Sequence, residues 1–143
     1  MRILALDFGE RRIGVAASDP LGLTAQPVTV IERASLDEDL ARIKAVVEQR
    51  KAEKIVLGLP LNMDGTAGPQ ARLARRFAAR LRRALGLEVV LWDERLTTVE
   101  ADRSEGQGLS EARRESHRRR RDAVAAAVIL QDYLNAQQRS AAS

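Results

Sequence analysis

The chain has 143 residues, a formal net charge of +4, a sequence pI near 10.3 and no cysteine. That length suits one domain able to bury a core without disulfides or a structural metal. The lack of cysteine excludes disulfide frameworks, zinc knuckles and thiol nucleophiles, and the longest apolar run, Ala123 to Leu130, falls far short of the ~20 residues a membrane helix needs.

The N-terminus passes straight into Ile3-Leu4-Ala5-Leu6-Asp7, too short and too soon acidic for a signal peptide, so a cytoplasmic protein is expected. Residues Arg2 to Phe8 are nearly all apolar, as in a central strand buried on both sides. Gly9 allows a tight turn into a second strand, Ile13 to Ala17, and a third follows from Gln26 to Ile31. Connections this short favour antiparallel neighbours. Ser35 opens a helix and Glu38 completes its capping box, with Leu36, Leu40, Ile43 and Val47 on one face. A fourth strand, Ile55 to Leu59, is stopped by Pro60, and Asn62-Met63-Asp64-Gly65 is turn chemistry.

A long helix is expected from Gly68 to Ala84, ended by Gly86. Its apolar stripe is Leu73, Phe77 and Leu81, backed by Ala74, Ala78 and Leu85; Arg72, Arg75, Arg76, Arg80, Arg82 and Arg83 read as its solvated face. Leu87 to Trp92 is a fifth strand, and Thr97 with Glu100 can cap another short helix. From Glu105 to Arg121 periodicity is lost, and the arginines around His117 read as a mobile basic loop. Asp122 to Gln137 closes the chain as a helix. The expected architecture is α/β: a mixed five-stranded sheet, three antiparallel strands then two parallel, with helices on both faces. Residues 1–138 form the domain and 139–143 a short tail.

The basic residues are nearly all arginine, with lysine only at Lys44, Lys51 and Lys54. Arginine forks grip phosphate at two points, so a polyanionic partner and a plain solvated surface fit the composition equally. Phe8, Phe77, Trp92 and Tyr133 are the only aromatic rings. A bound nucleic acid would then be held mainly by backbone and shape.

Chemistry is concentrated in acids at element ends. Asp7 ends the first strand, and Asp93 and Glu94 end the fifth. In open α/β sheets ligands favour that edge. Asp122 shares a helical face with Ala126, Ile129 and Tyr133, which turns it inward, and the alanines at 123, 125, 126 and 127 permit a close approach. Taken alone, Asp122 reads as a favourable charge at a helix N-terminus, and spacing does not choose between Asp93 and Glu94. Together, three converging carboxylates repel one another, and a divalent cation relieves that repulsion. Hard Mg²⁺ (or Mn²⁺) suits such oxygen ligands and leaves positions for water and phosphate.

Four segments resemble one family. Asp7-Phe8-Gly9 with Arg12-Ile13-Gly14-Val15-Ala16 and Ser18-Asp19 is similar to the opening hairpin of YqgF/RuvX-type proteins. Gly58-Leu59-Pro60-Leu61-Asn62-Met63-Asp64-Gly65, Asp93-Glu94-Arg95-Leu96-Thr97-Thr98, and Asp122 with Ala125-Ala126 and Ile129-Leu130-Gln131-Asp132-Tyr133-Leu134 match its later blocks. Two departures are Arg121, where the family has a small apolar residue, and a basic segment that carries Glu111 and Glu115.

The resemblance implies a ribonuclease-H-like fold and a Holliday-junction-resolvase-like nuclease that matures the 5′ end of precursor 16S rRNA. It implies Asp7, Glu94 and Asp122 as catalytic and metal-binding acids. Arg12, Asn62, Arg95, Arg113, Arg114, Arg118, Arg119, Arg120 and Arg121 are the expected nucleic-acid contacts. The expected partner is structured RNA, either precursor 16S rRNA or the ribosomal small subunit, with no membrane. Three alternatives accompany this reading. One is a DNA resolvase that cuts branched DNA as a dimer. Another is an rRNA-binding assembly factor that never cuts. The third is an ATPase of the actin and sugar-kinase type, which needs two such domains.

Overall fold

The computed structural model describes residues 1–96 and 110–142. Five strands form one sheet: β1 (Ile3–Phe8), β2 (Arg12–Ser18), β3 (Ala25–Glu32), β4 (Lys54–Leu59) and β5 (Glu88–Asp93), in the spatial order β3-β2-β1-β4-β5. β2 pairs antiparallel with β1 and β3, while β1, β4 and β5 run parallel. The parallel strands are reached through helices α1 (Leu36–Arg50) and α2 (Pro69–Leu85). A 3-10 turn, Glu94–Leu96, follows β5, and α3 (Glu111–Ala142) covers the opposite side of the sheet. Among the described residues no helix is long and apolar enough to cross a membrane.

Period-two alternation divides β1 between two cores. Leu4, Leu6 and Phe8 join the larger cluster with Ile43 and Val47 of α1 and Phe77, Ala78 and Leu81 of α2. Ile3 and Ala5 join a smaller one with Ala126, Ile129, Leu130, Tyr133 and Leu134 of α3. Asp7 continues the second series, so it lies on the α3 face.

Local signals explain most boundaries. Ser35 caps α1 by accepting from the Glu38 backbone N–H. Leu36, expected on the buried stripe, is exposed; Asp39 is buried instead, accepting from the Ala34 N–H and facing Arg33. Gly68 caps α2, Pro69 begins it, and Gly86 closes it at φ +67°. The buried face of α2 is Ala71, Ala74, Phe77, Ala78 and Leu81, and Leu73 lies 42% exposed at its margin. An i,i+4 row drifts about 40° around the helix per step, which carries the first member of Leu73–Phe77–Leu81 off the core.

The largest correction concerns the basic segment. Residues from Glu111 through Arg121 are helical and continuous with the expected closing helix, so α3 has 32 residues. Ser110 begins it, its Oγ accepting from the Arg113 N–H. Arginine is a good helix former, and Arg118 bridges back to Glu115 and Glu111 on the same face. Asp122 therefore sits inside the helix rather than at its start. Residues 139–142 of the expected tail are the last turn of α3. The short helix expected at Thr97, and residues 105–109 of the expected loop, lie outside the described residues.

Candidate active site

Asp7 lies near the C-terminal end of β1, and the residues flanking it on both neighbouring strands are small. Gly14 of β2 is its register partner, and Gly58 of β4 lies one step beyond the Leu6–Leu57 pair. Each glycine makes space for another acid. A Cβ on Gly14 would overlap the backbone carbonyl of Asp122, so α3 crosses β2 at the closest approach two backbones allow. A Cβ on Gly58 would overlap the carboxylate of Glu94. These glycines are part of the site, and sequence reading assigned them no such role. Their signal was position: glycine inside a strand marks a close approach.

Glu94, the first residue after β5, turns its side chain back over Gly58 to Asp7. Protonated Glu94 donates a hydrogen bond to the Asp7 carboxylate. Burial, then the Asp7 charge and that hydrogen bond, push the Glu94 pKa up to about 8. Burial also raises the Asp7 pKa, the hydrogen bond from Glu94 opposes it, and the Asp122 charge adds to the rise. Asp93 points elsewhere. Its carboxylate takes the Arg95 guanidinium at 2.7 Å, which lowers its pKa. Of the two acids between which spacing does not choose, Glu94 meets Asp7 and Asp93 pairs with Arg95.

Asp122 approaches from the other side. With Asp7, Gly9, Glu10, Arg11 and Arg12 it lines a cavity of about 250 Å³. Burial raises its pKa, and the Arg12 and Arg121 charges pull against that rise. Arg12 is the hub here. It lies 3.8 Å from Asp122, 3.3 Å from Glu32 and in a short contact with Glu115. Arg119 adds a second contact to Glu32 at 3.7 Å.

The remaining expected nucleic-acid residues divide by their partners. Arg12, Arg95, Arg118 and Arg119 are paired to carboxylates. Arg113, Arg114, Arg120 and Arg121 have no carboxylate within 4 Å among the described residues. Asn62 ties its own loop, its amide donating to Thr66 Oγ1 at 3.0 Å.

Among the described residues no three His, Cys, Asp or Glu side chains stand close enough to share one metal ion. The near pair is Asp7 and Glu94, with Asp122 across the cavity. The donor chemistry still suits a hard divalent cation, because these are carboxylate oxygens whose charged forms burial disfavours, chiefly raising their pKa values.

Comparison with known proteins bears on the family and the fold. The family model described as RuvX, Holliday junction resolvase, matches residues 1–136. A Carboxydothermus hydrogenoformans protein named "Putative pre-16S rRNA nuclease" is 47% identical over 94% of this chain and 96% of its own length. A protein of the same name from Myxococcus xanthus is 51% identical over 95% of this chain and 89% of its own. Among solved structures, Thermus thermophilus RuvC in complex with a Holliday junction substrate aligns over 96% of both chains, with a TM-score of 0.58 at 16% identity. The five-stranded mixed sheet is thus the ribonuclease-H-like fold that the sequence resemblance implied.

Proposed function

The chain belongs to the RuvX family, and on that premise we propose that it is a metal-dependent endonuclease that trims the 5′ end of precursor 16S rRNA in the cytoplasm. The observation that carries this reading is the Asp7–Glu94 contact at the end of two parallel strands, with Asp122 lining a cavity together with Asp7. Such an arrangement is costly for folding and suits cation-assisted phosphodiester chemistry. The curated relatives named for pre-16S rRNA support the substrate.

Asp7, Glu94 and Asp122 would hold Mg²⁺ or Mn²⁺, which when bound polarises the phosphate and makes a nearby water a better nucleophile. Asp7 and Glu94 would hold the cation in place of the proton they share, and Glu94 would give up that proton. Arg12 positions Asp122 from below, braced by Glu32 and Glu115. Arg113, Arg114, Arg120 and Arg121 provide the positive charge that draws in the phosphate backbone, a term that weakens steeply with salt.

The family description favours a second substrate, branched DNA, for the same site. One experiment separates the readings. Purified protein is incubated with precursor 16S rRNA or a four-way DNA junction, in Mg²⁺ or EDTA, and product ends are mapped. Mg²⁺-dependent cuts at the 5′ end of the rRNA precursor are expected. Cleavage of the junction alone would replace the proposed substrate, and no cleavage of either would overturn the enzyme reading.

A further inference from the structure

The loop after β4 has a role that the acids do not explain. Its Met63 side chain is 89% exposed, the most exposed large apolar residue of the protein's described part. A single exposed apolar residue ordinarily needs no explanation. Here the loop that presents it is unusually well tied. The Gly65 N–H donates to the Asn62 carbonyl at 2.8 Å, and the Asn62 N–H donates to the Thr66 carbonyl at 2.9 Å. Thr66 donates both its N–H and its hydroxyl to Asp64.

Arg95 completes the brace. Its Nε and Nη2 hold Asp93, and its Nη1 donates to the Met63 carbonyl at 3.1 Å. The guanidinium also lies against Gly65, whose φ of +88° shapes the turn. Arg95 follows Glu94 directly in the chain. The Met63 backbone is therefore fixed one side chain away from the acidic edge. Leu96, 59% exposed, stands on the same turn as Glu94.

The four aromatic rings are not available for this work. Phe8 stacks on Phe77 at 4.5 Å and Trp92 meets Tyr133 edge-on at 5.7 Å, all within the two cores. With the rings occupied, base faces beside the site are left to arginine guanidinium planes and to aliphatic side chains.

We propose that Met63, held by Arg95, is a nucleobase contact of the site, an aliphatic wedge that packs on the face of an unpaired base next to the phosphate being cut. Unbranched thioethers adapt well to flat surfaces, and apolar wedges are a known means of holding unstacked bases. This inference rests on the nuclease reading above, and its test is chosen to fail separately.

The probe is an RNA hairpin with a single-stranded 5′ extension carrying 2-aminopurine beside the junction, titrated in Ca²⁺ with parent, Met63→Ala and Met63→Leu proteins. Met63→Ala is expected to weaken binding roughly tenfold and to abolish the 2-aminopurine signal. Met63→Leu should restore both, and affinity for a blunt duplex and the melting temperature should not change. If Met63→Ala binds the hairpin and reports the base as the parent does, the wedge is wrong, whatever the cleavage assay shows. If the parent binds but gives no 2-aminopurine change, the wedge is equally wrong. If the parent binds no RNA, both readings fall.

Discussion

On the side covered by α1 and α2, β1 contributes Leu4, Leu6 and Phe8; on the side covered by α3 the same strand contributes Ile3, Ala5 and Asp7. The first face is packed with large side chains, among them Phe77, Leu81, Ile43, Ile55 and Leu57, and it holds the sheet together. The second is built from small residues at its chemical end, Ala5, Gly14, Ala16 and Gly58, which let a helix and two carboxylates come close. The large packing residues and the proposed catalytic acid thus fall on alternate positions of one strand. Substitutions should obey that division.

The largest stability effect belongs to the first face. Phe77→Ala removes a 3% exposed ring stacked on Phe8. It should cost about 3–5 kcal/mol in denaturant unfolding and leave cleavage per folded molecule unchanged. A matching fall in the turnover of folded protein would show that the two faces are not separable.

The two glycines sharpen the comparison within the second face. Gly58→Ala meets side-chain ends alone, the Glu94 carboxylate most severely and Ile129 Cδ1 at 3.0 Å. Its melting temperature should stay near that of the parent, while cleavage falls on the order of 10²-fold through misplacement of the carboxylate. Gly14→Ala meets the backbone of α3, which cannot turn aside. It should destabilise by about 1–3 kcal/mol as an overpacked site does. Equal stability losses for the two variants would contradict the geometry.

The acidic edge also sets a pH dependence. Glu94 binds its proton more tightly in the folded protein, with a pKa of about 8 against 4.5 unperturbed. The folded state thus holds more protons than the unfolded one between those values, and stability falls as pH rises through that window. In EDTA the melting temperature should drop from pH 5 to pH 8. Glu94→Gln and added Mg²⁺ should each flatten the slope. A slope unchanged in Glu94→Gln would assign the effect to other groups.

Much of this was legible before any coordinates. β1 announced itself by unbroken apolarity ending in an acid, α1 by Ser35 and Glu38, and α2 by its apolar stripe and Gly86. The limits were physical as well. The arginines of α3 carry no apolar period, because that half of the helix is stabilised by ion pairs and by continuation from the packed half. Leu36 and Leu73 fitted helical spacing but lie at the margins of their faces. Asp93 and Glu94 differ only in parity, and parity has meaning once Trp92 is known to face α3. Arg12 and Arg95 were read as phosphate ligands from their charge, whereas their carboxylate partners come from distant or local turns that spacing does not reveal.

One measurement bears on the acidic edge most directly. Parent and Asp7→Asn proteins, matched for circular dichroism and melting temperature in EDTA, are compared in single-turnover cleavage of precursor 16S rRNA with Mg²⁺. Asp7→Asn should lose on the order of 10³-fold or more in rate. It should fold at least as stably as the parent, because a half-buried carboxylate is gone. An Asp7→Asn protein that cuts at the parental rate would contradict the assignment of Asp7 as the centre of the chemistry.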